Sequence, residues 1–400
     1  MAYIIVVNPA ILKFAGLPVG ASTVATILVA CAGSILMGLY ANRPIAVAPY
    51  MGENAFIAFG LGSLGVTWQQ RLGAVFISGL LFLIITFAGL RTWLAKAISS
   101  SMKYSFAVGI GLFLAFIGLN ETGIVTRAEA VPVKIGNLRS VECLLAIGGF
   151  ILIMALIQRR VRGAILVGIV VTAVAGILLG VAPPPSAAMG LPPSLAPIAL
   201  KLDIAGVLRI SFLPILLTLF LMSFLDTLGT LVGVSTVEGA VEDLQRPMTV
   251  DAFACMISGL LGTSTSGAYI ESAAGIRDGA RTGLAAVTTG LLFALSLFFI
   301  PLIEPLQQLR FAYGPALIAV GVLMLDGIRK IAFDDLTELV PAFVTITMMI
   351  FTYNIANGLT AGLVLYPVMK LLAGRAREIN GGSIVLALLC LVYYIFGLPH

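Results

Sequence analysis

Gly262-Thr263-Ser264-Thr265-Ser266-Gly267-Ala268-Tyr269-Ile270-Glu271-Ser272-Ala273-Ala274 interrupts a long apolar run with hydroxyls, glycines and one acid. Runs of Ser, Thr and Gly favour extended or turn backbone, and Glu271 followed by Ser-Ala-Ala suits a helix start. A second interruption reads Asn42-Arg43-Pro44-Ile45-Ala46-Val47-Ala48-Pro49-Tyr50-Met51-Gly52-Glu53-Asn54-Ala55-Phe56. Pro44 and Pro49 cannot both lie in one continuous helix, and the Ile-Ala-Val between them suits a short extended piece. Each stretch therefore reads as an extended piece leading into a half-helix, with two positive helix ends aimed at one pocket.

Outward from these stretches the chain is apolar. Of its 400 residues, 60% are hydrophobic and only 10% charged, whereas a soluble domain carries about a quarter charged residues. Runs such as 210–234, 283–302 and 22–39 stay apolar for roughly the 20 residues that cross a bilayer core. Lipid cannot hydrogen-bond a bare backbone, so these runs must be helices, and their length excludes a barrel. The fold class is an all-α polytopic membrane protein, multi-pass in the cell's inner membrane and surrounded by lipid. Spans are read at 1–8, 21–41, 45–64, 70–90, 103–119, 143–158, 163–182, 210–234, 248–262, 264–280, 281–304, 312–326, 338–355 and 357–373. A short run at 383–397 is left over, and Pro-rich 183–197 connects two halves.

The only histidine, His400, is the last residue, which removes His-based zinc sites and Ser/His/Asp catalytic sets. No metal, cofactor or enzyme chemistry is read. Cys31, Cys143, Cys255 and Cys390 are scattered through apolar sequence and read as small core residues. The net charge of +5 sits in short loops and does not signal nucleic acid. Residues 1–7 are apolar without a basic leader, so no cleavable signal peptide is read.

Arg91, Lys96 and Lys103 follow the fourth span, and Arg159, Arg160 and Arg162 the sixth. Arg329 and Lys330 follow the twelfth, and Lys370, Arg375 and Arg377 the fourteenth. All fall on one side, which the positive-inside rule makes cytoplasmic. The loop after the fifth span mixes Glu121, Arg127, Glu129, Lys134 and Arg139 and is placed outside. The halves echo each other. Arg71-Leu72-Gly73 is matched by Arg281-Thr282-Gly283, Ser78-Gly79-Leu80-Leu81-Phe82 by Thr289-Gly290-Leu291-Leu292-Phe293, and Ala107-Val108-Gly109 by Ala319-Val320-Gly321, at offsets of 210 to 212 residues. Seven spans separate the copies. An odd number inverts the second, as in secondary transporters that place their site at mid-membrane between interrupted helices.

Acids lie where acids are expensive. Asp226 is well inside 210–234, with no Lys, Arg or His between Arg209 and Arg246; a charge there costs about 2.5–3.5 kcal/mol on insertion scales. Glu53 and Glu271 begin the two half-helices. Asp226 could instead be a helix-packing partner, and both glutamates plain helix-start acids. The cost of burial favours function for Asp226 and Glu271, while the two readings of Glu53 stay balanced. Arg277, Asp278 and Arg281 read as a solvated cytoplasmic helix end.

Asp226-Thr227-Leu228-Gly229-Thr230-Leu231-Val232-Gly233-Val234, followed by the Thr263-to-Gly275 stretch, resembles the azaguanine-type purine permeases for hypoxanthine, guanine and adenine. These form part of the nucleobase/ascorbate (xanthine/uracil) transporter superfamily. Ala48-Pro49-Tyr50-Met51-Gly52-Glu53-Asn54-Ala55-Phe56 and the opening Met1-Ala2-Tyr3-Ile4-Ile5-Val6-Val7-Asn8-Pro9 fit the same family, so the resemblance covers essentially the whole chain. It implies fourteen segments in two inverted sevens. A core domain, residues 1–90 and 210–304, would hold substrate. A gate domain, residues 91–182 and 305–397, would support a homodimer and let the core slide as an elevator. The resemblance also implies proton-coupled uptake of purine nucleobases, with the binding acids on Asp226 and Glu271 and a binding asparagine on Asn54.

The chain departs from the pattern of the family it resembles in three places. Members usually begin with a longer segment that completes the first span, whereas Met1 here falls inside it. Many carry an acid one turn before Asp226, where this chain has Ser223, and most have an apolar residue where Glu53 stands. One pocket acid has, on this reading, moved from the eighth segment to the third.

A purine is planar and mostly neutral. Carboxylates can take its adjacent N–H groups, while hydroxyls and half-helix N–H groups serve its acceptors. Glu271 is assigned as the principal base ligand and Asp226 as the proton-coupling group, with Glu271 the other candidate for that task. Asn54, Glu53, Thr230, Ser264 and Thr265 complete the expected site. The alternative is a same-fold transporter of a pyrimidine base or an anion. An anion would want a basic residue where the half-helices meet, and acids stand there instead.

Overall fold

The computed structural model describes residues 1–62, 65–90, 93, 97–128, 131–185, 187–238 and 244–396. Arg91, Lys96, Glu129 and His400, the Arg277 side chain and the end of the 383–397 run lie outside the described residues. The chain is mostly helical. In order it forms α1 (Ile4–Leu12), α2 (Val19–Leu39), β1 (Val47–Pro49), α3 (Met51–Ala55), α4 (Trp68–Phe87) and α5 (Ser100–Glu121). A hairpin of β2 (Val125–Arg127) and β3 (Val133–Ile135) leads to α6 (Val141–Gln158) and α7 (Ala164–Leu178). After the Pro-rich connection come α8 (Leu213–Glu238), α9 (Gln245–Leu261), β4 (Ser266–Ala268), α10 (Ser272–Arg277) and α11 (Leu284–Ser296). The chain continues through α12 (Arg310–Met324), α13 (Leu336–Phe351), α14 (Ile355–Leu372) and α15 (Gly381–Phe396).

Among the described residues eight helices are long and apolar enough to cross a membrane, and four shorter apolar helices accompany them. The protein is therefore a multi-pass membrane protein. Large apolar side chains such as Leu178 (82% exposed) and Phe351 (83%) face outward, as they do where the surrounding solvent is hydrocarbon rather than water. The helix starts are set locally. Thr67 and Gln70 form a reciprocal capping box at α4, and Ser99, Ser140 and Asn354 cap α5, α6 and α14 through their side chains. Each cap satisfies an amide that the first helical turn would leave without a partner.

Two groups of helices pack tightly within themselves. In one, α4 lies on α9 and α11 lies on α2, with α8 against α4. In the other, α5 lies on α12 and α13, α13 on α14, α6 and α7 on α12, and α15 on α14. The sequence echo of Gly79 and Gly290 acquires a meaning in the first group. A Cβ on Gly79 would fall 2.4 Å from the Met256 amide nitrogen of α9, and one on Gly290 would fall 2.8 Å from the Cys31 carbonyl oxygen of α2. Each glycine lets its helix approach a neighbour's backbone, the close packing on which helix association in lipid depends.

The second group is pinned at one end by charge. Lys370, only 2% exposed at the end of α14, lies 2.8 Å from Glu378, 3.0 Å from Glu338 and 3.7 Å from Asp335. Glu338 accepts a bond from Ser99 Oγ at 2.6 Å, which ties α5 to α13. The Thr337 hydroxyl, with Arg375, holds the Asp335 carboxyl at the start of α13 well below the usual carboxylate range.

Candidate functional site

The two interruptions meet. β1 and β4 pair antiparallel, with Val47 opposite Ala268, Ala48 opposite Gly267 and Pro49 opposite Ser266. The pairing is extended by Tyr50 N to Thr265 O at 2.9 Å and Tyr269 N to Ala46 O at 3.0 Å. All six strand residues are buried. Two extended segments inside a membrane protein must satisfy one another's amides, because lipid offers no partner. Antiparallel pairing also sends the two half-helices, α3 and α10, away from the crossing in opposite directions. Gly267 is dictated by the crossing itself: a Cβ there would fall 2.0 Å from Tyr50 Oη.

Helices α2 and α9 brace the outer edges of this pair. Ser34 of α2 accepts from Val47 N at 2.9 Å. On the other side, Ser258 of α9 bonds Ser266 Oγ at 2.9 Å and Cys255 Sγ donates to Ser266 O at 3.0 Å. Asp251 of α9 is buried as well. Its Oδ2 accepts from Ala268 N at 3.0 Å and from Tyr50 Oη at 3.3 Å, and Tyr50 Oη also bonds Thr227 of α8 at 2.9 Å. Asp251 thus joins both interruptions to the eighth segment.

Glu53 and Asp226 come together. The Glu53 carboxyl group is wholly buried, and among the described residues neither its oxygens nor the Ser223 hydroxyl makes a well-formed hydrogen bond; Asp226 and Ser223 are the polar groups it faces. Asp226 is only half-buried. Glu271, also half-buried and at the start of α10, is held by the Tyr3 hydroxyl at 2.9 Å. Tyr269 lies within electrostatic reach of Glu271, Glu53 and Asp226 together, and its hydroxyl donates to Pro49 O at 2.5 Å. The three acids therefore surround one crossing, Glu53 and Asp226 as a facing pair and Glu271 on the Tyr3 side.

The remaining expected residues divide. Asn54 and Ser264 are both bound to Asn8: Asn8 Oδ1 accepts from Asn54 Nδ2 at 2.9 Å and from Ser264 Oγ at 3.0 Å. Asn8 in turn donates to Thr26 at 2.8 Å and Thr263 at 2.9 Å. The Ser264 hydroxyl hydrogen is thereby committed to structure, whereas Asn54 Oδ1 and Thr265 Oγ1 are buried and bare. Thr230 stands one turn beyond Asp226 on α8, half-buried. Asn8, Asp251, Tyr3 and Tyr269 were not singled out from sequence. Asp251 is likewise an acid in an apolar run, though only five residues after Arg246, and Asn8 is a lone amide in the first apolar segment.

Comparisons with known proteins agree with this architecture. Residues 1–360 match the model of the xanthine/uracil permeases, described as a permease family. The guanine/hypoxanthine permease PbuG of Bacillus subtilis is 40% identical over 413 residues, covering 99% of this chain and 93% of that protein. The adenine permease AdeP of Escherichia coli is 38% identical over 403 residues, covering 99% and 90%. Among solved structures, the transmembrane domain of the cyanobacterial bicarbonate transporter BicA superposes with a TM-score of 0.67 at 16% identity, covering 90% of this chain and 94% of that one. The murine anion transporter Slc26a9 gives 0.63 at 12% identity, covering 92% and 66%. At such identities the likeness of the solved structures concerns the fold alone.

Proposed function

The chain belongs to the xanthine/uracil permease family, transporters rather than enzymes, and from that premise we propose that it takes up purine nucleobases together with protons. One observation carries this reading. Buried polar atoms that make no well-formed hydrogen bond lie on the third, eighth and tenth segments around the strand crossing: both Glu53 oxygens, Asn54 Oδ1, Ser223 Oγ and Thr265 Oγ1. A buried polar atom without a partner costs about 1–3 kcal/mol, and a planar heterocycle edged with donors and acceptors would relieve several such costs at once. Relatives named for guanine, hypoxanthine and adenine transport point to the purine class.

Roles follow from how each acid is held. Glu271, oriented by Tyr3, grips the base. Asn54 Oδ1, Thr265 and Thr230 serve its edges, while Ser264 acts through the backbone and Asn8. Asp226 and Glu53 face each other, and two close carboxyl groups relieve their repulsion by sharing a proton. That proton, taken up from one side and released to the other, is the coupling device. Glu53 against Ser223 fills the place of the acid that many family members carry on the eighth segment, so it bears on which base is preferred. The elevator reading takes residues 1–90 and 210–304 as the moving core, and 91–182 with 305–397 as the dimerising support across fourteen segments. The two packing groups described above support that division. An anion substrate is disfavoured because carboxyl groups stand where a cation would be needed.

Uptake of radiolabelled adenine, guanine and hypoxanthine by cells lacking their own purine permeases, with uracil and bicarbonate as competitors, tests the proposal. Saturable purine uptake stimulated by an inward proton gradient is expected. Uptake of uracil or an anion in preference to every purine overturns it.

A further inference from the structure

Each half-helix has a second end, and an arginine grips it. After α3 the third segment continues as a wider helical turn, 56–60, in which Leu61 N reaches back five residues to Phe56 O at 3.0 Å. Widening and ending the helix here leaves carbonyl oxygens at its last turn in need of donors. Arg71, in the first turn of α4 and only 6% exposed, supplies them. Its Nη1 donates to Ile57 O at 2.9 Å and Ala58 O at 3.2 Å, and its Nε to Val66 O at 3.0 Å. Among the described residues no carboxylate pairs with this guanidinium. Its charge is met by the negative end of the half-helix itself.

The inverted copy repeats the device. Arg281, the residue that the sequence echo sets against Arg71, donates through Nη1 to Ile276 O, in the last turn of α10, and to Ala280 O at 2.8 Å. The second grip is exposed where the first is buried. A segment of ten residues or fewer holds no helix by its own propensity, since isolated helices shorter than about 12–15 residues are marginal. Its direction is therefore set by what is fixed at its two ends. The start of the first half-helix is fixed by the strand crossing, and its end by Arg71.

We infer that Arg71 is a positioning residue for the substrate site: by clamping the far end of the half-helix that carries Glu53 and Asn54, it sets the angle at which both side chains enter the crossing. Arg281 does the same for the half-helix that Glu271 begins, with a smaller effect because its bonds compete with water. A lysine at position 71 keeps the charge but loses the planar fork that reaches three carbonyls at once.

The test has two arms on full-length protein in lipid vesicles. In the first, Arg71→Met raises the KM for the transported purine about tenfold with a smaller change in kcat, Arg71→Lys recovers part of the loss, and Arg281→Met gives a weaker rise. In the second, which needs no substrate, hydrogen–deuterium exchange quickens over 54–62 in Arg71→Met and over 272–280 in Arg281→Met, each without affecting the other. The first arm rests on the purine reading and the second does not, so wild-type protein that transports no purine refutes that reading while exchange still decides the clamp. Unchanged KM together with unchanged exchange over 54–62 overturns the inference, even if less protein reaches the membrane. Should Arg71→Met yield no folded protein, the same two measurements on Arg71→Lys decide it.

Discussion

The two interrupted segments share a backbone plan but not a chemistry. Both run from a paired strand into a short half-helix ended by an arginine. In the first, the acid is wholly buried beside Asp226. In the second, the acid is half-buried and already bonded to Tyr3. A repeat fixes where the backbone goes, because strand pairing and helix packing tolerate little change. The side chains at the crossing are free to diverge, and they have produced one acid held by a tyrosine and one set against a second carboxyl group.

That contrast can be broken most directly at the acids. Glu271→Ala and Asp226→Asn should each lower uptake by about tenfold to a hundredfold, the scale of losing a hydrogen bond to a charged group at about 1.5–3 kcal/mol. Asp226→Asn should also abolish the response to a proton gradient, measured in vesicles with an imposed pH difference. Wild-type coupled transport by both variants would remove the assigned roles. Glu53→Gln, which keeps shape but not charge, should change the preference among adenine, guanine and hypoxanthine by about tenfold, or 1.4 kcal/mol. A competition panel identical to wild type would return Glu53 to a structural role. If Glu53 replaces an acid of the eighth segment, Glu53→Leu should lose uptake and Ser223→Asp in the same chain should restore part of it.

Smaller effects sharpen the picture. Asn8→Ala takes a partner from Asn54, Ser264, Thr26 and Thr263 in a buried network, and should cost about 1–3 kcal/mol of stability, read as earlier thermal unfolding in detergent. Tyr3→Phe removes one bond to Glu271 and should raise KM about fivefold, the worth of roughly 1 kcal/mol. Arg162→Ala breaks an exposed pair with Asp278 at 2.9 Å. Because exposed pairs contribute about 0–1 kcal/mol, uptake should stay within twofold.

Much of the fold was legible because lipid simplifies the problem. Apolar runs of spanning length must be helices, so composition alone gave the class, and two prolines in one span announced a break. The strand-plus-half-helix form of both interruptions followed from local backbone chemistry. The site was legible in its acids, since a carboxyl group in an apolar run is costly enough to stand out. It was less legible in its hydroxyls and amides. Ser264 and Thr265 are neighbours of similar chemistry, yet one is bound to Asn8 and the other is bare. Asp251 sent a weaker signal than Asp226, because it stands five residues after Arg246 near the start of its apolar run rather than in the middle of one.

The sequence by itself determined that the chain is a multi-pass helical membrane protein, where two of its apolar runs break and which acids lie in apolar stretches, because each follows from short-range rules of backbone and solvation. Only the tertiary structure decided that β1 lies against β4, that Glu53 faces Asp226 and Ser223 while Glu271 is held by Tyr3, and that Arg71 grips the far end of the first half-helix. Those partners are separated by up to 268 residues, and no local preference along a chain specifies which distant groups will complete one another's hydrogen bonds.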